Sequence, residues 1–237
     1  MSETSRFYFR QLLSGRDFAK TNQIAQQMVN FSYLIGDRAT GEALVVDPAY
    51  DIDGLLDVLA TDEMHLVGAL ATHYHADHIG GDMMGHGIEG ITHLLERVDV
   101  PIHVQVEEVP WIERQTGVSE QLSAHRSGDV VTVGEVEVTL IHTPGHTPGS
   151  QCFFVNGALV SGDTLFLDGC GRTDLPGADP AAMYESLTQR LSQVPDDALL
   201  FPGHQYSAAP YQSMADTRAN NFVFAPRSVE EWLRMFG

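Results

Sequence analysis

Apolar residues recur along the chain in short runs rich in branched side chains, separated by glycine, proline and aspartate. Runs of this kind between turn signals are typical of β-strands in a buried sheet. They occupy residues 31–35, 43–46, 67–71, 130–133, 136–141, 152–155, 158–160 and 199–201. Only Gly134 and Glu135 separate two neighbouring runs, so we predict a hairpin there.

Other segments repeat apolar residues at the spacing of an amphipathic helix. These segments span residues 52–60, 88–97, 107–116, 180–191 and 229–236. Asp179 followed by Pro180 is typical of a helix N-cap with a first-turn proline. Strands and helices therefore intersperse along the chain, which predicts an α/β (α+β) fold and a single domain over residues 1–237. A glycine-rich excursion near residues 80–100 is predicted to be either a flap or a plain surface segment.

Composition narrows the class of protein. The chain has 237 residues, of which 43% are hydrophobic, and this excludes a disordered protein. Its formal net charge of −19 excludes broad nucleic-acid binding and docking to an anionic membrane, because both require clustered basic residues. Cys152 and Cys170 cannot form a disulfide framework, so we expect free thiols and a soluble, cytoplasmic protein.

A dense cluster of metal-capable side chains follows the apolar run at 67–71. His73, His75, Asp77 and His78 fall within six residues. Imidazole and carboxylate ligands suit zinc or iron better than calcium or magnesium. A strand that runs into a loop can direct the first two imidazoles one way and the later pair another way. Two adjacent metal ions are therefore allowed.

Three more candidate ligands lie in glycine- or proline-containing loops beyond later apolar runs. They are His146, Asp163 and His204. Each of them alone is a weak signal, and their order after the cluster at 73–78 makes the set specific.

The cluster has the form His-X-His-X-Asp-His, and with the three later ligands the chain resembles the metallo-β-lactamase superfamily from about residue 31 to 206. This resemblance implies a four-layer αβ/βα sandwich with the site on one edge. It also implies catalytic roles for Asp77 and Asp163. The implied ligand sets are His73, His75 and His146 on one metal, and Asp77, His78 and His204 on the second, with Asp163 between them.

Within the superfamily the chain is similar to the glyoxalase II and persulfide dioxygenase group. The similar segment runs from 162 to 166 into Gly169-Cys170-Gly171-Arg172. The resemblance implies that Arg172 and Tyr206 contact a thiol-bearing substrate. A structural ion pair between Arg172 and Asp174 is the alternative for the arginine.

The first functional hypothesis is a hydrolase that uses two Zn²⁺ ions to cleave the thioester of a small thiol-derived molecule. A metal lowers the pKa of bound water from 15.7 to about 7, which supplies a nucleophile at neutral pH. A thiolate, whose conjugate acid has a pKa of about 8.5, leaves without a proton donor. An amide or β-lactam nitrogen is a stronger base and requires one, so lactam hydrolysis is a minor hypothesis.

The alternative is a persulfide dioxygenase with one Fe²⁺. His73, His146 and Asp163 would form its two-histidine, one-carboxylate triad. The short segment after Tyr206 favours this alternative, because glyoxalase II carries a longer helical tail with cationic glutathione contacts. A purely structural zinc site usually includes cysteine, and none of the seven candidate ligands is a cysteine. Homodimer formation is left open.

Overall fold

The computed structural model describes residues 6–237, and two facing β-sheets form its centre. The first sheet has the spatial order β1 (Phe7–Leu13), β2 (Phe31–Asp37), β3 (Glu42–Val46), β4 (His65–Leu70), β7 (Ile102–Gln105) and β8 (Leu122–His125). The second has the order β14 (Gln212–Ser213), β13 (Leu199–Pro202), β12 (Ala158–Gly162), β11 (Gln151–Val155), β10 (Val136–His142) and β9 (Val130–Val133). Both sheets mix parallel and antiparallel pairs.

Side chains alternate between the two faces of each sheet. Tyr33 and Ile35 of β2 lie in the core between the sheets, whereas Leu34 lies in the core on the outer face of the first sheet. Every residue of β2 is buried, as expected for a strand that is covered on both faces.

Helices cover the two outer faces of the sheets. They are α1 (Gln23–Met28), α2 (Ile52–Thr61), α3 (Ala76–Ile79), α4 (Ile91–Arg97), α5 (Val109–Thr116), α6 (Pro180–Glu185), α7 (Met214–Asn220) and α8 (Val229–Phe236). Leu55 and Leu94 pack against the first sheet, and Met183 and Trp232 belong to the core of the second. The layers therefore run helix, sheet, sheet, helix, and the predicted α/β sandwich is confirmed.

The predicted strands form, and the structure adds strands at 81–83 and 86–88, β7, β8, β14 and the edge strand β1. The polar residues Arg10 and Gln11 interrupt its apolar pattern, which an edge strand tolerates because one side of it faces solvent. The helix predicted over 180–191 ends at Glu185 and continues as a π-helical turn, Ser186–Arg190.

The glycine-rich excursion contains a short hairpin, β5 (Gly81–Met83) with β6 (His86–Ile88), followed by α4. Because Ile88 ends β6, the helix predicted to begin at 88 begins at Ile91 instead. The single domain over 1–237 stays a prediction. Among residues 6–237, none of the helices combines the length and apolar character that crossing a membrane requires.

Candidate metal centre

All seven predicted ligands come together at one edge of the sandwich. They are carried by the segments that follow β4, β10, β12 and β13. His73 and His75 lie in the loop after β4, Asp77 and His78 in α3, His146 between β10 and β11, Asp163 directly after β12, and His204 directly after β13. Because β12 and β13 are parallel, their carboxyl ends meet at this edge.

One group of three imidazoles forms from His73, His75 and His146. The Nδ1 atom of His75 lies 3.1 Å from Nε2 of His73 and 3.0 Å from Nε2 of His146. His73 and His146 are buried, and His75 is partly open to the cavity described below.

A second group forms from Asp77, His78 and His204. The Nε2 atoms of His78 and His204 are 3.2 Å apart, and Asp77 Oδ2 lies 3.5 Å and 3.4 Å from them. The carboxylate of Asp163 lies between the groups, with Oδ1 3.4 Å from His78 Nε2 and Oδ2 3.7 Å from His146 Nε2. His73, His78 and Asp163 also lie close enough to share an ion, so the division into two ligand sets stays an expectation from the resemblance.

Two glycines let the loops approach one another here. A Cβ atom at position 203 would collide with the carboxylate of Asp163, and one at position 162 would collide with Thr72. Gly162 also has a φ of 50°, in the left-handed region that favours glycine. The residue before each of Asp163 and His204 is therefore restricted to glycine by close approach.

The outer nitrogens of three of the imidazoles are bound to acceptors. His78 Nδ1 donates to Asp47 Oδ2 at 2.8 Å, and His204 Nδ1 donates to the carbonyl oxygen of Met28 at 2.8 Å. His146 Nδ1 donates in the same way to the carbonyl oxygen of Arg172, also at 2.8 Å. A neutral imidazole carries one N–H, so these bonds leave the inward Nε2 atoms as lone pairs.

Burial and neighbouring charges shift the pKa values of the cluster in opposite directions. Burial, together with the surrounding imidazoles, lowers the pKa of His73 well below its usual value. Burial acts likewise on His78, but Asp163 and other carboxylates outweigh it and raise that pKa well above its usual value. Burial disfavours the Asp163 carboxylate, yet His204 and His78 hold its pKa well below the usual range. Ionised carboxylates thus lie directly among imidazoles.

The donor atoms of the cluster are arranged as a metal ion requires. Metal ligation requires neutral imidazoles, and in that form the Nε2 lone pairs of His78 and His204 face each other at 3.2 Å and repel unless a cation lies near both. The Oδ1 atom of Asp163 is buried and has no hydrogen-bond partner among the described residues. Imidazole nitrogens and carboxylate oxygens are the donors that zinc and iron accept. The donor set therefore fits divalent transition metals.

Asp47 supports the centre from behind, and the sequence-based prediction missed it. Its side chain is buried and accepts hydrogen bonds from the backbone N–H of Thr72 at 2.7 Å, the hydroxyl of Thr72 at 2.6 Å and His78. The Thr72 hydroxyl in turn lies 2.9 Å from His73 Nδ1. Asp47 has a φ of 51°, an uncommon value outside glycine. The sequence feature that could have identified Asp47 is its position directly after the apolar run at 43–46.

Asn30 and Tyr50 position Asp77. The amide of Asn30 donates to Asp77 Oδ2 at 3.1 Å, and the hydroxyl of Tyr50 donates to Asn30 Oδ1 at 2.9 Å. Both side chains are buried, and nothing in the local sequence singled them out.

Glu108 joins the two loops that carry the first group of imidazoles. Its buried carboxylate accepts from the backbone N–H of Tyr74 at 2.8 Å, the hydroxyl of Thr147 at 2.8 Å and the backbone N–H of Gly149 at 2.6 Å. Burial raises the pKa of Glu108 to about 7 in spite of these bonds. Glu108 lies at the start of α5, and no sequence signal identified it.

A cavity of about 840 Å³ opens onto the centre. Apolar side chains form much of its wall, including Met28, Tyr74, Met83, Met84, Phe166 and Leu175. The half-buried thiol of Cys170 also lies on this wall, whereas Cys152 is buried elsewhere, and both cysteines are free.

Arg172 and Tyr206, the predicted substrate residues, both line this cavity. Tyr206 stacks on His204 with ring centroids 4.8 Å apart, and its side chain is exposed. The guanidinium of Arg172 donates to both carboxylate oxygens of Asp174, at 2.9 Å and 2.8 Å. The structure therefore contains the ion pair that was the alternative for Arg172, at the rim of the cavity.

The chain is similar to a known protein family and to several known enzymes. A family model described as the Metallo-beta-lactamase superfamily matches residues 26–204. The probable polyketide biosynthesis zinc-dependent hydrolase BaeB of Bacillus velezensis is 28% identical over 208 residues, covering 88% of this chain and 87% of BaeB. A hydroxyacylglutathione hydrolase of Shewanella halifaxensis is 34% identical over 192 residues, covering 81% of this chain and 68% of that protein.

Two further similar proteins carry the name ETHE1. The human mitochondrial persulfide dioxygenase ETHE1 is 27% identical, and the match covers 100% of this chain and 89% of that protein. The crystal structure of ETHE1 from Myxococcus xanthus superposes with a TM-score of 0.78 at 30% identity, covering 97% of this chain and 89% of that one.

Proposed function

Because the chain belongs to the metallo-β-lactamase superfamily, we propose that it is a metal-dependent hydrolase that cleaves the thioester of a small thiol. The observation that carries this proposal is the convergence of seven nitrogen- and oxygen-donor side chains, without cysteine, five of which line an open cavity. Structural zinc sites are usually closed by four ligands, whereas this set leaves room for water. Relatives that are named as hydrolases support the reaction type.

We assign the ligands as the resemblance implied. His73, His75 and His146 would hold one Zn²⁺, Asp77, His78 and His204 the other, and Asp163 would contact both. When bound, such a metal pair supplies a water of lowered pKa and an electrophile for the carbonyl oxygen.

The residues of the chain then have separate tasks. The carboxylates of Asp77 and Asp163 accept hydrogen bonds from the attacking water and orient it toward the thioester carbonyl carbon. Asn30 fixes the orientation of Asp77 through its amide. The leaving thiolate is a weak base, so no side chain has to donate a proton to it.

A second candidate function is persulfide dioxygenation with one Fe²⁺ held by His73, His146 and Asp163. The extent of similarity favours it, because the match to human persulfide dioxygenase covers 100% of this chain and 89% of that protein. The match to the hydroxyacylglutathione hydrolase covers only 68% of that enzyme.

Elemental analysis of protein purified without added metal, combined with two assays, separates the candidates. The hydrolase predicts about two zinc ions per chain and thioester cleavage. One iron per chain, with oxygen uptake on addition of glutathione persulfide, would overturn the first proposal. Asp77→Ala provides a second test, since it removes a ligand of the second group only. It should reduce hydrolysis strongly and dioxygenation weakly.

A further inference from the structure

The cavity over the metal centre has almost no positive charge from side chains. Apart from the histidine ligands, Arg172 is the only basic residue of the described chain on its wall. One edge of its guanidinium, formed by Nε and Nη2, is paired with both carboxylate oxygens of Asp174. The carboxylate of this pair offsets the charge of the arginine, so Arg172 adds little net positive charge to the wall.

Negative charge, in contrast, is present on the same wall. Asp82 and Asp168 both line the cavity and are exposed. Neither forms an ion pair within residues 6–237, although Asp82 Oδ1 accepts a hydrogen bond from the backbone N–H of Gly85 at 3.1 Å. The net charge of −19 adds a repulsive field for any anion that approaches.

The remaining wall offers contacts to uncharged groups. Met28, Met83 and Leu175 supply flexible apolar surface, and Tyr74 and Tyr206 add aromatic rings. The volume of about 840 Å³ is in the range of cavities that enclose most of a drug-sized ligand. These contacts discriminate by apolar area and not by charge.

We propose that the cavity selects thioesters whose thiol portion carries no net negative charge. This inference rests on the proposed function, and it names the substrate class: an acyl group on a neutral or cationic thiol, in place of glutathione or coenzyme A. The attractive part of recognition is apolar contact. The discriminating part is the excess of negative charge on the wall, because Asp174 offsets the charge of Arg172 and the carboxylates of Asp82 and Asp168 have no cationic partner within residues 6–237.

A series of thioesters with one acyl group and different thiols tests the proposal. The metal-loaded protein is assayed with the butyryl thioesters of thiocholine, N-acetylcysteamine, glutathione and coenzyme A. At low ionic strength kcat/KM should fall in that order, by about tenfold or more between N-acetylcysteamine and glutathione. In about 1 M salt, where the screening length is near 3 Å, the differences should shrink. Equal or faster cleavage of the glutathione thioester at low salt would overturn the proposal.

Asp174→Asn tests the local origin of the selectivity, because it releases Arg172. The ratio of kcat/KM for the glutathione thioester to that for the N-acetylcysteamine thioester should rise about threefold. Asp53→Asn is the matched control. It removes the same charge and breaks the pair in which Asp53 binds Arg97 at 3.0 Å and 3.3 Å, away from the cavity wall. If both variants raise the ratio equally, the selectivity comes from net charge and the assigned cavity wall is wrong.

Binding of thioethers separates this inference from the proposed reaction. S-butyl-N-acetylcysteamine and S-butylglutathione cannot be hydrolysed, and their dissociation constants are measured by calorimetry on the metal-loaded protein. Weaker binding of the glutathione thioether supports the inference even if no thioester is cleaved, and tighter binding overturns it. Absence of cleavage for all four thioesters counts only against the proposed hydrolase.

Discussion

The molecule contains two places where imidazoles approach each other closely. They differ in the acceptors that surround the rings. On the first sheet, Nδ1 of His103 in β7 lies 2.9 Å from Nε2 of His125 in β8. At the candidate metal centre the corresponding nitrogen contacts are 3.0 to 3.2 Å. The distances alone do not distinguish the two places.

The surroundings do distinguish them. Near the His103–His125 pair the nearest carboxylate is that of Asp129, 3.6 Å from His125 Nδ1, and its side chain is half exposed. Burial and the neighbouring imidazole lower the pKa of His103 to about 4, so the neutral ring of His103 can share one ordinary hydrogen bond with His125. At the centre, buried acceptors hold the outer nitrogens and turn the lone pairs inward. In the His78–His204 pair the other nitrogen of each ring is held by a hydrogen bond, which orients both rings for metal ligation.

The largest effect is expected when the carboxylate between the two groups of the candidate metal centre is removed. Asp163→Ala should lower activity by about a thousandfold or more, because several kcal/mol of charge stabilisation are lost. Metal per chain, measured by elemental analysis, should also fall. His103→Ala is the control and should leave both quantities unchanged. Full metal content in Asp163→Ala would contradict the ligand assignment.

Asp47→Asn tests the role of the bound outer nitrogen, because it changes the hydrogen-bond acceptor of His78 and none of the seven predicted ligands. It weakens the acceptor for His78 and Thr72, so metal affinity should fall by about 10- to 100-fold. Competition with a chromophoric chelator measures this. The matched control is Asp129→Asn, which changes the same type of side chain beside His125. If both variants lose the same affinity, the anchoring argument fails.

Glu108 gives the smallest predicted effect, and it concerns the loops instead of the ligands. A carboxyl group whose pKa is raised from 4.5 to about 7 on folding binds more protons in the native state. Its stabilising contribution is present at low pH and is lost as the pH rises through about 7. Between pH 4.5 and about pH 7 the free energy of unfolding of the wild type should fall by on the order of 2 kcal/mol relative to that of Glu108→Gln.

Urea unfolding at the two pH values, with chelator present in both samples, measures this difference. Both proteins contain the same imidazoles, so the titration of histidine cancels in the comparison. Parallel pH profiles would show that Glu108 is ionised throughout.

Much of the fold was predictable because local periodicity reports it. The apolar runs predicted β2, β3, β4 and β9 to β13, and helical spacing predicted α8 over its full length. The boundary at Ile91 and the π-helical turn after Glu185 were not predictable. They depend on the pairing of the hairpin β5–β6 and on packing of α6, which are contacts between separate segments.

The seven donor residues could be found in the sequence, and their order carried the resemblance that implied the superfamily and the sandwich fold. Only the tertiary structure determines which buried groups form hydrogen bonds to the donor residues and to the loops that carry them. Asp47 lies 25 residues from Thr72, and Glu108 lies 39 residues from Thr147, so folding creates those contacts and no local pattern encodes them. The tertiary structure also decided the charge of the cavity wall, since which carboxylates face a substrate depends on how separate loops meet in space.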